Sequence, residues 1–335
     1  MKILLFSYPF YPQIGGIEST SELLADVFIK AGHEVRVVTK TAFSGTEPYI
    51  YEIYRHPSAF KVFKLGLWAD LVFETNPALS IAWPTLFANK KRITGLQTWV
   101  GRPDGTFSNS GKLKLEWLSL ASKVIACSNA LRVATFPKAT VIGNPYDDNV
   151  FRRLPGVTVT KDFVFLGRLV SDKGVALAID AFNKFQKNHA DSSLTIIGVG
   201  EERELLERKV ADYNISDKVT FTGGMRGEKL VECLNQHRYM LVPSIWQEPF
   251  GIVVLEGMAC GCVPIVSKSG GLPDAVGEAG LVSERGDVDS LLDKMELLKN
   301  NPDLEQQLRE KAVKHLQNHN RKAIADFYIR TIQSL

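Results

Sequence analysis

Short apolar runs alternate with stretches of helical periodicity along the whole chain. In the first half the runs are "KILLFSY" (2–8), "EVRVVTK" (34–40), "ADLVFETN" (69–76), "KRITGLQ" (91–97), "SKVIACS" (122–128) and "ATVIGNP" (139–145), with a helical pattern near 17–31 after the first. The second half repeats the alternation with a stronger period. "DFVFLGR" (162–168) leads to a helix over about 173–188, "SLTIIGVG" (193–200) to one near 201–213, and "KVTFTGG" (218–224) to one near 227–236. "YMLVPS" (239–244) precedes a helix near 251–260; "VPIVSKSG" (263–270) and "AGLVSE" (279–284) follow, and 287–334 reads as helical. Short apolar runs separated by helices predict parallel strands covered on both faces. The expected class is α/β, with two doubly wound domains. The stretch "GNPYDDNVFRRLPGVT" (143–158) is rich in turn formers and lacks a period, so it marks the join. This gives domains over 1–150 and 151–318, with a last helix over 319–335.

Composition narrows the class without naming a function. The chain has 335 residues, 45% hydrophobic and 23% charged, which suits a globular protein of two domains. No run approaches the ~18–20 apolar residues of a membrane span. "MKILLFSYPF" is followed by no small-residue cleavage site and reads as a first strand, not a signal peptide. Cys127, Cys233, Cys260 and Cys262 have neither a zinc-site nor a CxxC spacing, and read as reduced, packed thiols of a cytoplasmic protein. A net charge of +3 is too small to argue for a nucleic-acid partner. The basic excess lies within 1–150, including "NKKR" (89–92) and "GKLKLEW" (111–117). It reads either as a solvated surface or as attraction to an anionic acceptor or to the cytoplasmic face of a membrane.

In open α/β sheets ligands bind beyond the carboxyl ends of the strands. "FLGRLVSDKG" (165–174) places Arg168 and Lys173 past a strand and at the start of a helix. That position suits a phosphate, although a strand-end Arg and a surface Lys would look the same. In "EPFGIVVLEG" (248–257), Pro249 and Gly251 break the chain after Glu248, and a helix starts near Ile252. Glu248 then sits in a loop and Glu256 one turn into the helix, roughly 10 Å apart. Carboxylates accept from vicinal hydroxyls, and the N–H groups of Gly251, Ile252 and Val253 could face a phosphate between them. The plain alternative is one exposed and one helix-face glutamate. Gly15 and Gly16 permit close backbone approach after the first strand, or simply a tight turn. "SGGLPD" (269–274) reads the same way.

Together these loops resemble the retaining glycosyltransferases of family 4 (glycosyl transferases group 1). The matching stretches are "GGIE" (15–18), "GRLVSDKG" (167–174), "IIGVGEER" (196–203), "VTFTGGM" (219–225) and "PSIWQEPFGIVVLEGMACGCVPIVSKSGGLPD" (243–274). The resemblance covers the second half nearly throughout and the first half loosely. It implies GT-B architecture, with two Rossmann-like domains facing across a cleft. The first domain would bind the acceptor and the second the nucleotide sugar, with the last helix, carrying Phe327 and Tyr328, crossing back. Arg168 and Lys173 would neutralise the pyrophosphate of a UDP- or GDP-sugar. Glu248 would hold the transferred sugar, Glu256 the ribose, and Met225 would touch the base. Phe250 would join the donor site, and Gly15 and Gly16 would approach the phosphates. The implied reaction is metal-independent, cofactor-free hexosyl transfer with retention. It moves the sugar to a glycan or lipid-linked acceptor in cell-surface polysaccharide or glycoconjugate assembly. Location would be cytoplasmic, with peripheral membrane contact.

One departure stands out. Many relatives carry a His after the strand that here reads "ITGLQTWVG" (93–101), where this chain has none. Gln97 cannot take a proton at neutral pH. Gln97, Thr98, Trp99 and Arg102, the last in the polar loop "RPDGTFS", are the candidate acceptor contacts, with strand-end packing as the alternative. The missing His keeps open a non-catalytic nucleotide-sugar-binding subunit, and the fold a phosphorylase or epimerase.

Overall fold

A computed structural model describes residues 1–13, 16–45, 49–102 and 104–335. The chain divides into two compact units, Met1–Asn144 with Arg321–Leu335, and Pro145–Asn320. The divisions fall at 144/145 and 320/321 instead of 150/151 and 318/319. Hydrogen bonding explains the offset. Tyr146 N donates to the His319 carbonyl at 3.1 Å, and Val150 and Phe151 N–H groups close a turn on Asp147. Residues 145–150 and 319–320 therefore belong with the second unit.

In the first unit β1 (Lys2–Phe6), α1 (Gly16–Lys30), β2 (Glu34–Thr39), β3 (Glu52–Arg55), α2 (Ala59–Trp68) and β4 (Leu71–Glu74) follow in order. Next come α3 (Leu79–Ala82), which runs into a 3₁₀ helix (Trp83–Ala88), β5 (Lys91–Leu96), α4 (Asn109–Ser119), β6 (Lys123–Ala126), α5 (Asn129–Thr135) and β7 (Thr140–Val141). The strands form one sheet in the order β3-β2-β1-β4-β5-β6-β7, each pair parallel. β3, "EIYR", is not among the strands expected from the apolar runs. It lies at the sheet edge, none of its residues is fully buried, and its side chains lack an apolar face to read.

The second unit holds β8 (Lys161–Leu166), a 3₁₀ turn (Ser171–Lys173), α6 (Val175–Phe185), β9 (Leu194–Ile197), α7 (Arg203–Asp212), β10 (Val219–Gly223) and α8 (Gly227–Asn235). β11 (His237–Val242), α9 (Ile252–Ala259), β12 (Val263–Ser267), α10 (Leu272–Val276), β13 (Leu281–Ser283), α11 (Val288–Asn300) and α12 (Pro302–Gln317) complete it. The sheet order is β10-β9-β8-β11-β12-β13, again parallel. Alternate residues Phe163, Phe165, Tyr239 and Leu241 pack under Phe182, Phe185 and Met295 from the covering helices. The long helical tail is three helices, because Pro302 cannot continue α11 and starts α12 at its first turn. The last, α13 (Arg321–Gln333), belongs to the first unit. Its Tyr328 is buried with its ring 5.9 Å from Phe73, while Phe327 stays exposed under Arg330.

In each sheet the strand order reverses beside the first strand of its unit, at β1/β4 and at β8/β11. Successive crossovers leave in opposite directions there, so the loops part and leave a crevice.

Candidate active site

The loops after β8 and β11 meet directly. Gly174 has φ +72°, and a Cβ there would stand 2.0 Å from the Pro243 carbonyl oxygen. The Asp172 carbonyl accepts from the N–H groups of Ile245 (2.8 Å) and Trp246 (2.9 Å) and from Ser244 Oγ (3.1 Å). This stitching brings two predicted site residues together. Lys173 Nζ donates to Glu248 Oε1, and the single Ser244 hydroxyl proton is shared between that oxygen, at 3.0 Å, and the Asp172 carbonyl. The ammonium also lies 5.2 Å from the centre of the Trp246 ring. Side-chain exposures of 19% and 14% leave both groups shielded yet reachable. A lone ion pair on a surface contributes little; this one is held from three sides.

Glu248 is fixed from behind as well. Gly271 N–H donates to its carbonyl at 2.7 Å. Gly270 has φ +56°, and a Cβ would lie 2.2 Å from Glu248 O and 2.8 Å from Glu248 N. Gly270→Ala is therefore expected to cost about 2 kcal/mol or more through left-handed strain and overlap. It should also displace Glu248. A melting temperature and turnover equal to those of the natural protein would disprove the wedge.

The start of α9 presents free donors. Gly251, at φ +110°, leads into the helix with no side-chain cap. The N–H groups of Gly251, Ile252 and Val253 have no acceptor among the described residues. One turn in, Glu256 has some accessible surface, but no donor reaches its carboxyl among the described residues. Burial, helped by nearby Asp147, raises its pKa to about 7. Arg168 is exposed at the start of the β8 loop, with no ion pair or hydrogen bond to its guanidinium among the described residues. Met225 is half-buried beyond the edge strand β10. Phe250 is placed with its side chain inward. Its side chain is 3% exposed and packs 5.6 Å from the His319 ring, so only its backbone faces the loop.

In the first unit Gly15 lies outside the described residues, and Gly16 opens α1 exposed. Gln97 is buried and its N–H donates to Asn76 Oδ1 at 3.0 Å; Asn76 Nδ2 donates to Thr98 Oγ1 at 3.0 Å. These two residues tie the β5 loop to the β4 loop. Trp99 is half-buried, and Arg102 is exposed with its backbone closing a turn on Thr106. None of the four lines the cavity of about 430 Å³ that opens at the β1/β4 reversal. Its walls include Tyr8, Asn76, Leu79, Ser110, Leu113 and Lys114.

Sequence reasoning therefore missed Ser244 and Trp246, which hold the ion pair, and Asp172, which collects the β11 loop. Asp172 Oδ1 is buried with no hydrogen-bond partner among the described residues. Proximity to Glu248 in "PSIWQE" was the only signal available for the first two.

A family profile described as Glycosyl transferases group 1 matches residues 149–315. An uncharacterized glycosyltransferase of Methanocaldococcus jannaschii is 30% identical over 326 residues, covering 82% of this chain and 83% of its own length. The chain belongs to the group 1 glycosyl transferases. This glycosyltransferase is also 27% identical over 305 residues to the phosphatidylinositol N-acetylglucosaminyltransferase gpi3 subunit of Schizosaccharomyces pombe, covering 80% of the chain and 66% of that subunit. Anabaena HepE, solved in complex with UDP, superposes with a TM-score of 0.83 at 20% identity over 100% of both chains. HepE with UDP-glucose gives 0.81 at the same identity and coverage. The likeness establishes the two-domain α/β GT-B fold expected from the sequence.

Proposed function

We propose that the second unit binds a UDP- or GDP-sugar. The enzyme then transfers the hexose, with retention at C1, to a hydroxyl of a glycan or lipid-linked acceptor. One observation carries this reading: Lys173 and Glu248 are paired at the β8/β11 reversal. Glu248 Oε1 is taken by Lys173 and Ser244, which leaves Oε2 to accept from sugar hydroxyls. The ammonium keeps donors for phosphate oxygens, Arg168 adds an exposed cation, and the N–H groups at the start of α9 add more. Glu256 is assigned to the ribose diol. HepE in complex with UDP-glucose and the name of the S. pombe relative support a nucleotide-sugar donor and a lipid-linked acceptor.

The C1–O bond to the diphosphate breaks and a C1–O bond to the acceptor forms on the same face. The acceptor proton passes to the departing phosphate oxygen, so no protein base is required and Gln97 can stand where relatives have His. Charge on the leaving diphosphate is met by Arg168, Lys173 and the helix end, in place of a metal. We assign the acceptor to the cavity at β1/β4 instead of to the β5 loop.

UDP or GDP at a hundred times its dissociation constant should stabilise the protein by about 2.7 kcal/mol, a rise of several degrees in melting temperature. Turnover of the matching sugar donor should be unchanged by EDTA. No shift with either nucleotide would reject the donor site. Binding without release of nucleotide from any donor would favour a non-catalytic subunit, and loss of turnover in EDTA reversed by Mg²⁺ would reject the metal-free route.

A further inference from the structure

The first unit carries an apolar face that its own fold leaves uncovered. On α2, Val62, Leu65, Gly66 and the following Ala69 are buried, while Phe60, Phe63 and Leu67 recur at i, i+3 and i+7 on a second stripe. Phe60 is 65% exposed and Leu67 52%. The 3₁₀ helix Trp83–Ala88 packs against α2 at Gly66, where a Cβ would lie 3.2 Å from both Thr85 Cγ2 and Ala88 Cβ. That helix sends Thr85 inward and leaves Trp83, Leu86 and Phe87 outward, with Phe87 73% exposed. The Trp83 and Phe87 rings meet edge to face at 6.3 Å. Large aromatic side chains exposed together on neighbouring helices mark a contact surface.

Charge decides what the surface contacts. Lys61 and Lys64 stand on α2 and Lys90 just past the 3₁₀ helix, with Lys64 Nζ 4.5 Å from the Phe60 ring centre. Lys91 is held by the Leu335 carbonyl. Between residues 59 and 91 the acids are Asp70, which accepts from Lys2 N–H, and Glu74, which is buried against Arg92. Protein interfaces are depleted in lysine, whereas Trp, Phe and Leu rimmed by Lys are the composition that settles at a lipid boundary. No helix among the described residues is long and apolar enough to cross a membrane, so such contact would be with the surface.

We propose that this face docks on an anionic lipid bilayer, with Phe60, Trp83, Leu86 and Phe87 at the headgroup boundary and Lys61, Lys64 and Lys90 against the phosphates. It depends on no donor-site residue.

The test is sedimentation of the full chain with vesicles of phosphatidylcholine alone and of three parts phosphatidylcholine to one part phosphatidylglycerol. Binding is expected to the second only, and to weaken with salt. Lys61→Glu/Lys64→Glu should weaken it at least about 25-fold, from about fivefold per lysine. Trp83→Ser/Phe87→Ser should lower it at least about tenfold. Both variants should keep the melting temperature and the nucleotide-induced shift, which separates this proposal from the donor reading. Brominated lipid should quench the tryptophan fluorescence of the natural protein more than that of Trp83→Phe. Absence of vesicle binding by the natural protein would overturn the proposal. So would unchanged binding in Trp83→Ser/Phe87→Ser, or a change in that variant's molecular mass in solution without lipid, which would make the face a contact with a second copy.

Discussion

Lys173→Ala is expected to lower the turnover number about 10²–10³-fold while the second unit remains folded. The substitution removes one cation from the position assigned to the leaving diphosphate. It also frees Glu248, whose Oε1 then keeps only the Ser244 hydroxyl. An unpaired carboxylate beside a diphosphate repels it, so nucleotide affinity should fall with turnover. Both groups are shielded, so loss of one partner should also cost about 1–3 kcal/mol of stability. The double variant Lys173→Ala/Glu248→Ala separates the two consequences. Removing both charges removes the uncompensated one, so its melting temperature should recover toward that of the natural protein. Turnover should stay as low as in either single variant, because cation and sugar-binding carboxylate are both gone. Single-turnover rates and melting curves on the four proteins decide the matter. Recovery of turnover together with stability would make the pair a structural clamp and remove it from the chemistry.

That pair also marks the limit of what the sequence makes legible. The apolar runs place twelve of the thirteen strands among the described residues, because a strand buried on both faces must be apolar throughout. β3 escapes, being an edge strand with half-exposed polar residues. The chemistry of the loops is legible residue by residue, since each follows a strand. Their meeting is not. Lys173 and Glu248 are 75 residues apart, and only the sheet order, with β8 beside β11, brings their loops together. The burial of Phe250 is hidden for the same reason. Nothing in its place between Pro249 and Gly251 in a strand-end loop shows that His319, just past α12, covers the ring. In the first unit the candidates followed β5, whereas the cavity opens at the β1/β4 reversal and draws on Tyr8 and Lys114 from elsewhere in the sequence. Asn76 accounts for much of Gln97 and Thr98 as loop ties.

Glu256 gives the second large effect, as a dependence on pH. Its folded pKa is about 7, against 4.5 for the free side chain. Below the lower value both states are protonated, and the group costs nothing. As pH rises from there through about 7, the folded state holds its proton longer than the unfolded state, so stability falls. Above that range the cost levels at about 3 kcal/mol, since each tenfold difference in proton affinity between the two states is worth about 1.4 kcal/mol. Glu256→Gln keeps the shape and removes the charge. Its melting temperature should exceed that of the natural protein by about 6–12 °C at pH 8 and by little at pH 4.5. Ligand binding should run the other way. A ribose diol donates two hydrogen bonds, which the ionised carboxylate accepts best, so a bound nucleotide draws Glu256 toward its charged form. Nucleoside diphosphate affinity should then rise between pH 6 and pH 8 more steeply in the natural protein than in Glu256→Gln, whose remaining slope reports the phosphate's own titration. Calorimetry at several pH values reads both slopes. Equal slopes would take Glu256 out of the ribose site, whereas a flat difference in melting temperature would mean that its carboxyl is better solvated than its surroundings indicate.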